Sequence, residues 1–411
     1  MKVGVDLRVL QIGHQYRGIG EVTKQCLNRL FKRALSDKNS NLTFVFYEYE
    51  DSTDPKEFLD IPAGLEYEEV SLGIRPMPGV ARPMSEKLLT KWHIWFGSPI
   101  PKASTCDVFL QFDYALGAPR NPKTVLIAHD LIPYIYWNDF FESPWIHIKH
   151  KAARTTLRTL LHNQEFIHVL KRSHRNAARI LCVSDNTRHD IQKYLHVPLE
   201  KMEVAHLGVS VREASTGKDG SRPDNFPTKP YLLFVGGIDG RRRRVDELID
   251  AYNNLKAAGH DIQLALVGEN FQSPDKIPNE AIRRAIVDSS YSKDILTLGY
   301  VDDKTKQDLY KQAIAFVFPT MYEGFGIPVL EAMLLECPVI AYSNSSIPEV
   351  GGPYALYAKD WESIWGQALV VLAMPQSERQ KLIADAKRHA QSFTWDKTSE
   401  KMYDAIVRIS R

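Results

Sequence analysis

The stretch Pro319–Met333, PTMYEGFGIPVLEAM, holds two glutamates, Glu323 and Glu331, eight residues apart around Gly-Phe-Gly and a proline. Within one helix that spacing would put both carboxylates on one face, about two turns apart. Gly324 and Gly326 interrupt the helical pattern, however, and Pro328 fits the first turn of a helix that begins there. Glu323 is therefore expected in the loop ahead of the helix, and Glu331 in about its first turn. The backbone N–H groups between them make an electropositive mouth where anions bind. An anion flanked by two acceptors of hydroxyl hydrogen bonds suits a sugar phosphate.

Outward from this stretch, short apolar runs alternate with segments of helical periodicity, as in parallel strands joined by crossover helices. In the second half YLLFVGG, IQLALVG, ILTLG, AFVFP and PVIAY read as strands, with a helix from about Val245 to Ala258. In the first half KVGVDLRVL, LTFVFYEY, VFLQF, TVLIAHD and RILCVS read as strands. The glycine loop IGHQYRGIG follows the first of them, and Val22, Cys26, Leu30 and Phe31 then fall at helical spacing. Arg212–Pro230 is polar, contains Gly and Pro, lacks periodicity and reads as a linker. The prediction is α/β: a first domain over 1–211, a linker over 212–230, and a second domain over 231–394. Residues 395–411 form a last amphipathic helix with Trp395, Met402, Ile406 and Ile409 as its apolar side, and its return to the first domain is left open. Two such open sheets predict a cleft between them, with ligands outside the carboxyl ends of the strands.

A length of 411 residues exceeds one ordinary core. Hydrophobic content of 44% and charged content of 25% are those of a folded soluble chain. A net charge of +2 gives no case for nucleic acid, and no nucleic-acid motif occurs. Cys26, Cys106, Cys182 and Cys337 are scattered, as small buried residues in a reducing compartment would be, not as a disulfide frame or zinc site. MKVGVDLRVL is a strand pattern and not a signal peptide, and no run of 18 apolar residues occurs. The cytoplasm, with the inner face of the membrane as a further option, is the expected location.

With these residues in place the chain resembles the retaining nucleotide-sugar glycosyltransferases of family 4. That family has the GT-B fold, two Rossmann-like doubly wound domains facing each other across a cleft. The resemblance is strongest over Tyr231–Gly352, in FVGGIDGRRRRVDELIDAY, in the E-x7-E stretch with the LTLGYVDD run before it, and in PVIAYSNSSIPEVGG. It is looser at RGIG and at AHDLIP, Ala128–Pro133, and only general over about 50–105 and 140–175.

The resemblance implies roles for particular residues. Glu323 would bind hydroxyls of the transferred sugar and Glu331 the ribose of the nucleotide. Gly324, Phe325 and Gly326 would offer amides to sugar or phosphate oxygens. Gly237 and the arginine run would hold the donor diphosphate, where the family has an arginine and a lysine. Here the lysine is replaced and an extra residue makes the register ambiguous: Arg242 with Arg243 is the assignment, and Arg241 with Arg242 the neighbouring alternative. Guanidinium forks suit phosphate oxygens and neutralise a leaving diphosphate; a solvated turn is the plainer alternative. Gly18 and Gly20 would let the first domain's backbone approach the donor phosphate, besides turning the chain from strand to helix. His129, ending the strand TVLIA beside Asp130, would lie near the transferred sugar and the acceptor, unless it is a structural His–Asp pair.

Residues 144–180 carry eight Lys or Arg against Glu165, with five histidines. They read as a solvated basic helix face or as a surface for anionic lipid or a polyprenyl-diphosphate acceptor; Glu86–Phe96, with Trp92, Ile94, Trp95 and Phe96, could join it or be core. The expected activity is retaining transfer of a hexose from a nucleoside-diphosphate sugar, GDP-mannose ahead of UDP-hexoses, to a glycan or lipid-linked acceptor. No metal or other cofactor is expected, because VDDK at Val301–Lys304 is more simply a helix N-cap than a metal motif. The alternatives are an epimerase or phosphorylase on the same fold, a sugar-binding scaffold with a decayed site, and a nicotinamide-dependent enzyme. The last is disfavoured because neither GIG nor GGIDG completes G-x-G-x-x-G.

Overall fold

The computed structural model describes residues 1–13, 18–37, 42–50, 53–73, 105–117, 119, 121–137, 153–211, 225–238 and 242–410. The chain divides into two compact units, Met1–Gly208 with Trp395–Arg411, and Val209–Thr394. Each is an α/β layer around one parallel sheet, as the alternation of apolar runs and helical segments predicts.

The first unit has seven strands: β1 (Lys2–Asp6), β2 (Thr43–Glu48), β3 (Tyr67–Ser71), β4 (Val108–Gln111), β5 (Lys123–Ala128), β6 (Arg179–Cys182) and β7 (Met202–Val204). Their order is β3-β2-β1-β4-β5-β6-β7. The chain runs outward from β1 to β3 and then returns to the other side of β1 with β4, so the strand order reverses between β1 and β4. Central strands are apolar on both faces, as a covered parallel sheet requires: Val3, Val5, Phe44, Phe46, Val108, Leu110 and Leu126 are fully buried. Helix α1 (Gly18–Ser36) buries Val22, Cys26, Leu30 and Phe31, and the Phe31 ring meets Phe44 edge-on at 5.0 Å. The last helix, Trp395–Ser410, packs on α1 with Trp395, Met402 and Ile406 buried, while Ile409 is only half-buried.

Three details differ from the sequence reading. β1 stops at Asp6, and Leu7–Gln11 turn into a 3-10 helix. The cause is local: the Asp6 carboxylate accepts from the Arg8 backbone N–H at 3.3 Å and from its guanidinium at 2.7 Å through each oxygen, folding the chain back. Gly18 and Gly20 occupy the first turn of α1 and not a loop ahead of it. The edge strands β3, YEEVS, and β7, three residues long, lack the apolar run that signals a strand.

The basic segment is described only in part. Helix α2 (Ala153–Asn176) carries it, and residues 144–152 lie outside the described residues, as does Glu86–Phe96. His174 does not belong to a basic surface. Its ring is fully buried against Tyr114, its Nδ1–H donates to the Leu170 carbonyl at 2.8 Å, and burial pulls the imidazole down to about 4.

The second unit has six strands: β8 (Tyr231–Val235), β9 (Gln263–Val267), β10 (Ile295–Gly299), β11 (Ala315–Phe318), β12 (Val339–Tyr342) and β13 (Leu356–Ala358). Their order is β10-β9-β8-β11-β12-β13, with the reversal between β8 and β11. Only β13, three residues long, escapes the sequence pattern. Helix α3 (Val245–Ala257) follows the arginine run, α4 (Asp303–Gln312) follows β10, and α5 (Ile327–Leu334) follows β11. Asp302 caps α4, accepting the Thr305 N–H at 2.7 Å, so VDDK is the helix start its sequence suggests.

Candidate functional site

In an open α/β sheet the crevice outside the strand-order reversal is where ligands bind. In the second unit that place is the carboxyl ends of β8 and β11, and the arginine run and Glu323 meet there. After β8 the chain comes back along the end of β11: the Arg244 N–H donates to the Pro319 carbonyl at 3.0 Å and Met321 N–H to the Arg242 carbonyl at 2.9 Å, with a bridge between Arg243 and Thr320. This pairing fixes where each arginine points. Arg242 turns inward and is 3% exposed. Arg243 lies over the Phe318 ring at 4.9 Å, while Arg244 turns to Glu247 of α3. Arg241 lies outside the described residues.

Glu323 sits in the loop before α5 and is 9% exposed. Arg242 Nη1 reaches its Oε1 at 2.5 Å, Arg243 Nη2 reaches the same oxygen at 3.1 Å, and the Thr320 hydroxyl donates to it at 3.0 Å. Arg242 also donates to the Tyr322 carbonyl at 2.7 Å. Every contact converges on Oε1, and Oε2 carries no hydrogen bond among the described residues. Two guanidiniums against one carboxylate leave the spot net positive, and in a half-buried setting such charge attracts anions strongly.

The loop itself is held from β12's side. Ser345, at φ +47° in the left-handed region, accepts the Glu323 N–H on its hydroxyl at 2.9 Å. Ser346, fully buried, donates to the carbonyls of Glu323 and Phe325 at 2.9 and 2.8 Å. Asn344 donates to the Thr320 carbonyl at 2.9 Å. A non-glycine residue in that backbone region is uncommon and clusters at sites where geometry matters.

Gly326, at φ +106°, is the residue before α5, and a Cβ there would meet Ile347 Cδ1 at 2.8 Å. Phe325 is buried and packs edge-on to Phe393 at 5.9 Å, so its side chain anchors the loop while its backbone shapes the mouth of the helix. Glu331 is the fifth residue of α5, at the end of about its first turn, and accepts from Lys306 of α4 at 3.2 Å. On the other side of the site Gly237 is exposed beside Asn270, whose side chain accepts the Ile238 N–H at 2.8 Å. The ends of β8 and β9 approach so closely that a Cβ on Gly268 would lie 2.2 Å from the Gly236 carbonyl oxygen.

The first unit has its own reversal, between β1 and β4. The buried Asp6–Arg8 pair is there, with Arg8 also donating to the Leu116 carbonyl at 3.1 Å. His129 follows β5, half-buried, and its Nε2–H donates to the Phe112 carbonyl at 3.0 Å. Asp130 accepts the Ile132 N–H at 2.8 Å. The structure thus brings Arg242, Arg243, Glu323, Phe325 and Gly326 together, with Glu331 on the following helix turn. Gly18, Gly20 and His129 belong to the other unit. Residues missed from sequence are Thr320, Ser345, Ser346 and Lys306. The first three lie inside quoted motifs, but only a fold that returns β12 beside β11 shows what they hold.

Comparison with known proteins bears on the fold. Residues 218–389 match the family described as Glycosyl transferases group 1. The O-antigen chain mannosyltransferase B of Escherichia coli is 26% identical over 312 residues, 71% of this chain and 78% of that protein. The MMP alpha-(1->4)-mannosyltransferase of Mycolicibacterium hassiacum is 24% identical over 60% of this chain, which spans 58% of that relative. Among solved structures, Anabaena Alr3699/HepE, determined with UDP and glucose, superposes with a TM-score of 0.63 at 14% identity, covering 99% of this chain and 100% of that one. The fold is therefore GT-B.

Proposed function

We propose that this chain, a glycosyltransferase of the GT-B fold whose second unit carries the group 1 match, moves a hexose from a nucleoside-diphosphate sugar with retention of configuration. Glu323 carries the proposal: its Oε1 is held by Arg242, Arg243 and Thr320 at the strand-order reversal while its Oε2 keeps its acceptor capacity. A carboxylate held by one oxygen can take a sugar hydroxyl with the other at little cost in ordering. The surplus positive charge supports binding of the donor diphosphate and would stabilise it as it leaves. Front-face displacement, in which the leaving diphosphate helps take the acceptor proton, needs only such positioning and charge, so neither a protein nucleophile nor a metal is required by the proposal. Gly324, Phe325 and Gly326 would supply the mouth of α5, Gly237 the close approach at the end of β8, and Glu331 the ribose contact.

The donor is proposed to be GDP-mannose ahead of a UDP-hexose, because two relatives bear mannosyltransferase names. The acceptor is proposed to be a glycan or lipid-linked glycan, with His129 of the first unit serving it and Gly18 and Gly20 serving the donor phosphate. On α2, Lys171, Arg172 and Arg175 line a groove with His168, and this positive charge supports a contact with anionic lipid phosphate. No described helix is long and apolar enough to cross a membrane.

Thermal melting with GDP, UDP, ADP or NAD, each with and without a chelator, tests the donor proposal. A ligand at about 100 times its dissociation constant adds about 2.7 kcal/mol. Stabilisation by GDP or UDP that survives the chelator is the expected result; stabilisation by NAD alone overturns it. Retention is read from the anomeric NMR coupling of the first product, and nucleoside diphosphate release that requires acceptor separates transfer from epimerisation.

A further inference from the structure

Glu331 lies on α5 and Lys306 on α4, 25 positions apart in sequence, yet Lys306 Nζ donates to Glu331 Oε1 at 3.2 Å. The side chains are 28% and 20% exposed. Among the described residues Lys306 is the cation paired with Glu331, and Oε2 of Glu331 carries no hydrogen bond. Burial alone would pull the Lys306 ammonium down, but Glu331 and Asp303 outweigh it and hold the group above its ordinary value. The arrangement repeats that of Glu323: one carboxylate oxygen is taken by a cation from a different element, and the other carries no hydrogen bond among the described residues. Without Lys306 the Glu331 side chain, which has three rotatable bonds and no second tether, would sample several rotamers and lose part of its binding power to that freedom.

We infer that Lys306 is a positioning residue for the nucleotide ribose: it pins Glu331 through Oε1 so that Oε2 accepts a ribose hydroxyl. This rests on the donor site proposed above. The inference predicts that Lys306 matters for the ribose diol in particular, which a lysine that only holds α4 to α5 would not.

The test measures dissociation constants of GDP and UDP, and of their 2′,3′-dideoxy analogues, by calorimetry on the full chain and on K306M, K306R and E331Q. The wild-type chain is expected to prefer the ribose form of its nucleotide by about tenfold or more, the size of a hydrogen bond to a charged group. K306M is expected to bring that preference to within about threefold of unity, E331Q to do the same, and K306R to restore most of it. An undiminished ribose preference in K306M overturns the inference, as does a wild-type chain that binds both forms equally. If the wild-type chain binds neither nucleotide, the donor site itself fails, and that result is visible before any variant is made. Far-UV circular dichroism of K306M and its melting temperature identify a misfolded variant; K306R then decides, since loss of the preference in a folded K306R also overturns the inference.

Discussion

Both sheets place an arginine–carboxylate pair beside their strand-order reversal, and the two pairs are built differently. In the first unit Asp6 and Arg8 are two residues apart, both oxygens of the carboxylate are taken by the guanidinium at 2.7 Å, and the residues are 1% and 5% exposed. In the second unit Arg242 and Glu323 are 81 positions apart, and two arginines and a threonine crowd onto one oxygen. A pair engaged on both oxygens and almost wholly buried offers little to a ligand; its work is to turn β1 into the following helix. A pair pinned by one oxygen is rigid and still able to accept. Completeness of hydrogen bonding, more than the presence of buried charge, distinguishes scaffold from site here.

The comparison can be broken first at the scaffold. Arg8→Met leaves Asp6 buried without its partner and is expected to destabilise the chain by about 3–5 kcal/mol, read from urea unfolding. Nucleotide affinity of the fraction that remains folded should be unchanged; a loss of affinity at unchanged stability would make Asp6–Arg8 part of a binding site and dissolve the distinction. A second test of the first unit uses pH. His174 is held neutral, with its folded value at about 4 against about 6.5 unfolded, so its stabilisation is complete above pH 6.5 and is lost as pH falls towards 4. The loss amounts to up to about 3 kcal/mol, and it should disappear from the acid limb of the unfolding curve in His174→Gln.

At the site the expected effects fall on turnover. Glu323→Gln keeps the shape but removes the charge that pairs the arginines; it should lower the transfer rate about a hundredfold, roughly 2.7 kcal/mol, and also lower the melting temperature, because Arg242 is left buried without its counter-charge. Near wild-type turnover would show that Oε2 is not the acceptor the geometry offers. The smallest effect is expected at the mouth of α5. Gly326→Ala forces a side chain into φ +106°, against Ile347, and should cost about 1–2 kcal/mol in stability. A larger loss in nucleotide affinity than in stability would sharpen the comparison by locating the anion at that mouth.

Much of this was legible in the sequence because it is local. Strand cores such as YLLFV and AFVF announce themselves as apolar runs between glycine and proline signals, and the break at Gly326 with Pro328 behind it separates Glu323 from α5 within one motif. KVGVDLRVL misleads because its alternation continues past Asp6, and only the i, i+2 bond to Arg8 tells a strand from a strand followed by a turn. The arginine register is invisible to spacing, since which arginine faces inward is settled by pairing with Thr320, 78 positions away from Arg242. Ser345, Ser346 and Lys306 were missed for the same reason: hydroxyls and ammonium groups have no periodicity, and their partners arrive from other elements.

The closing helix has a consequence for how the molecule is made. Val209–Thr394 is one continuous stretch, whereas the first unit is interrupted by it and needs Trp395–Ser410 to cover α1. As a nascent chain leaves the ribosome, the segment from 209 to 394 has its whole core available before translation ends. The earlier-synthesised part must wait with the faces that Trp395, Met402 and Ile406 will bury still open to solvent. Of these two units the one begun first is thus the one completed last.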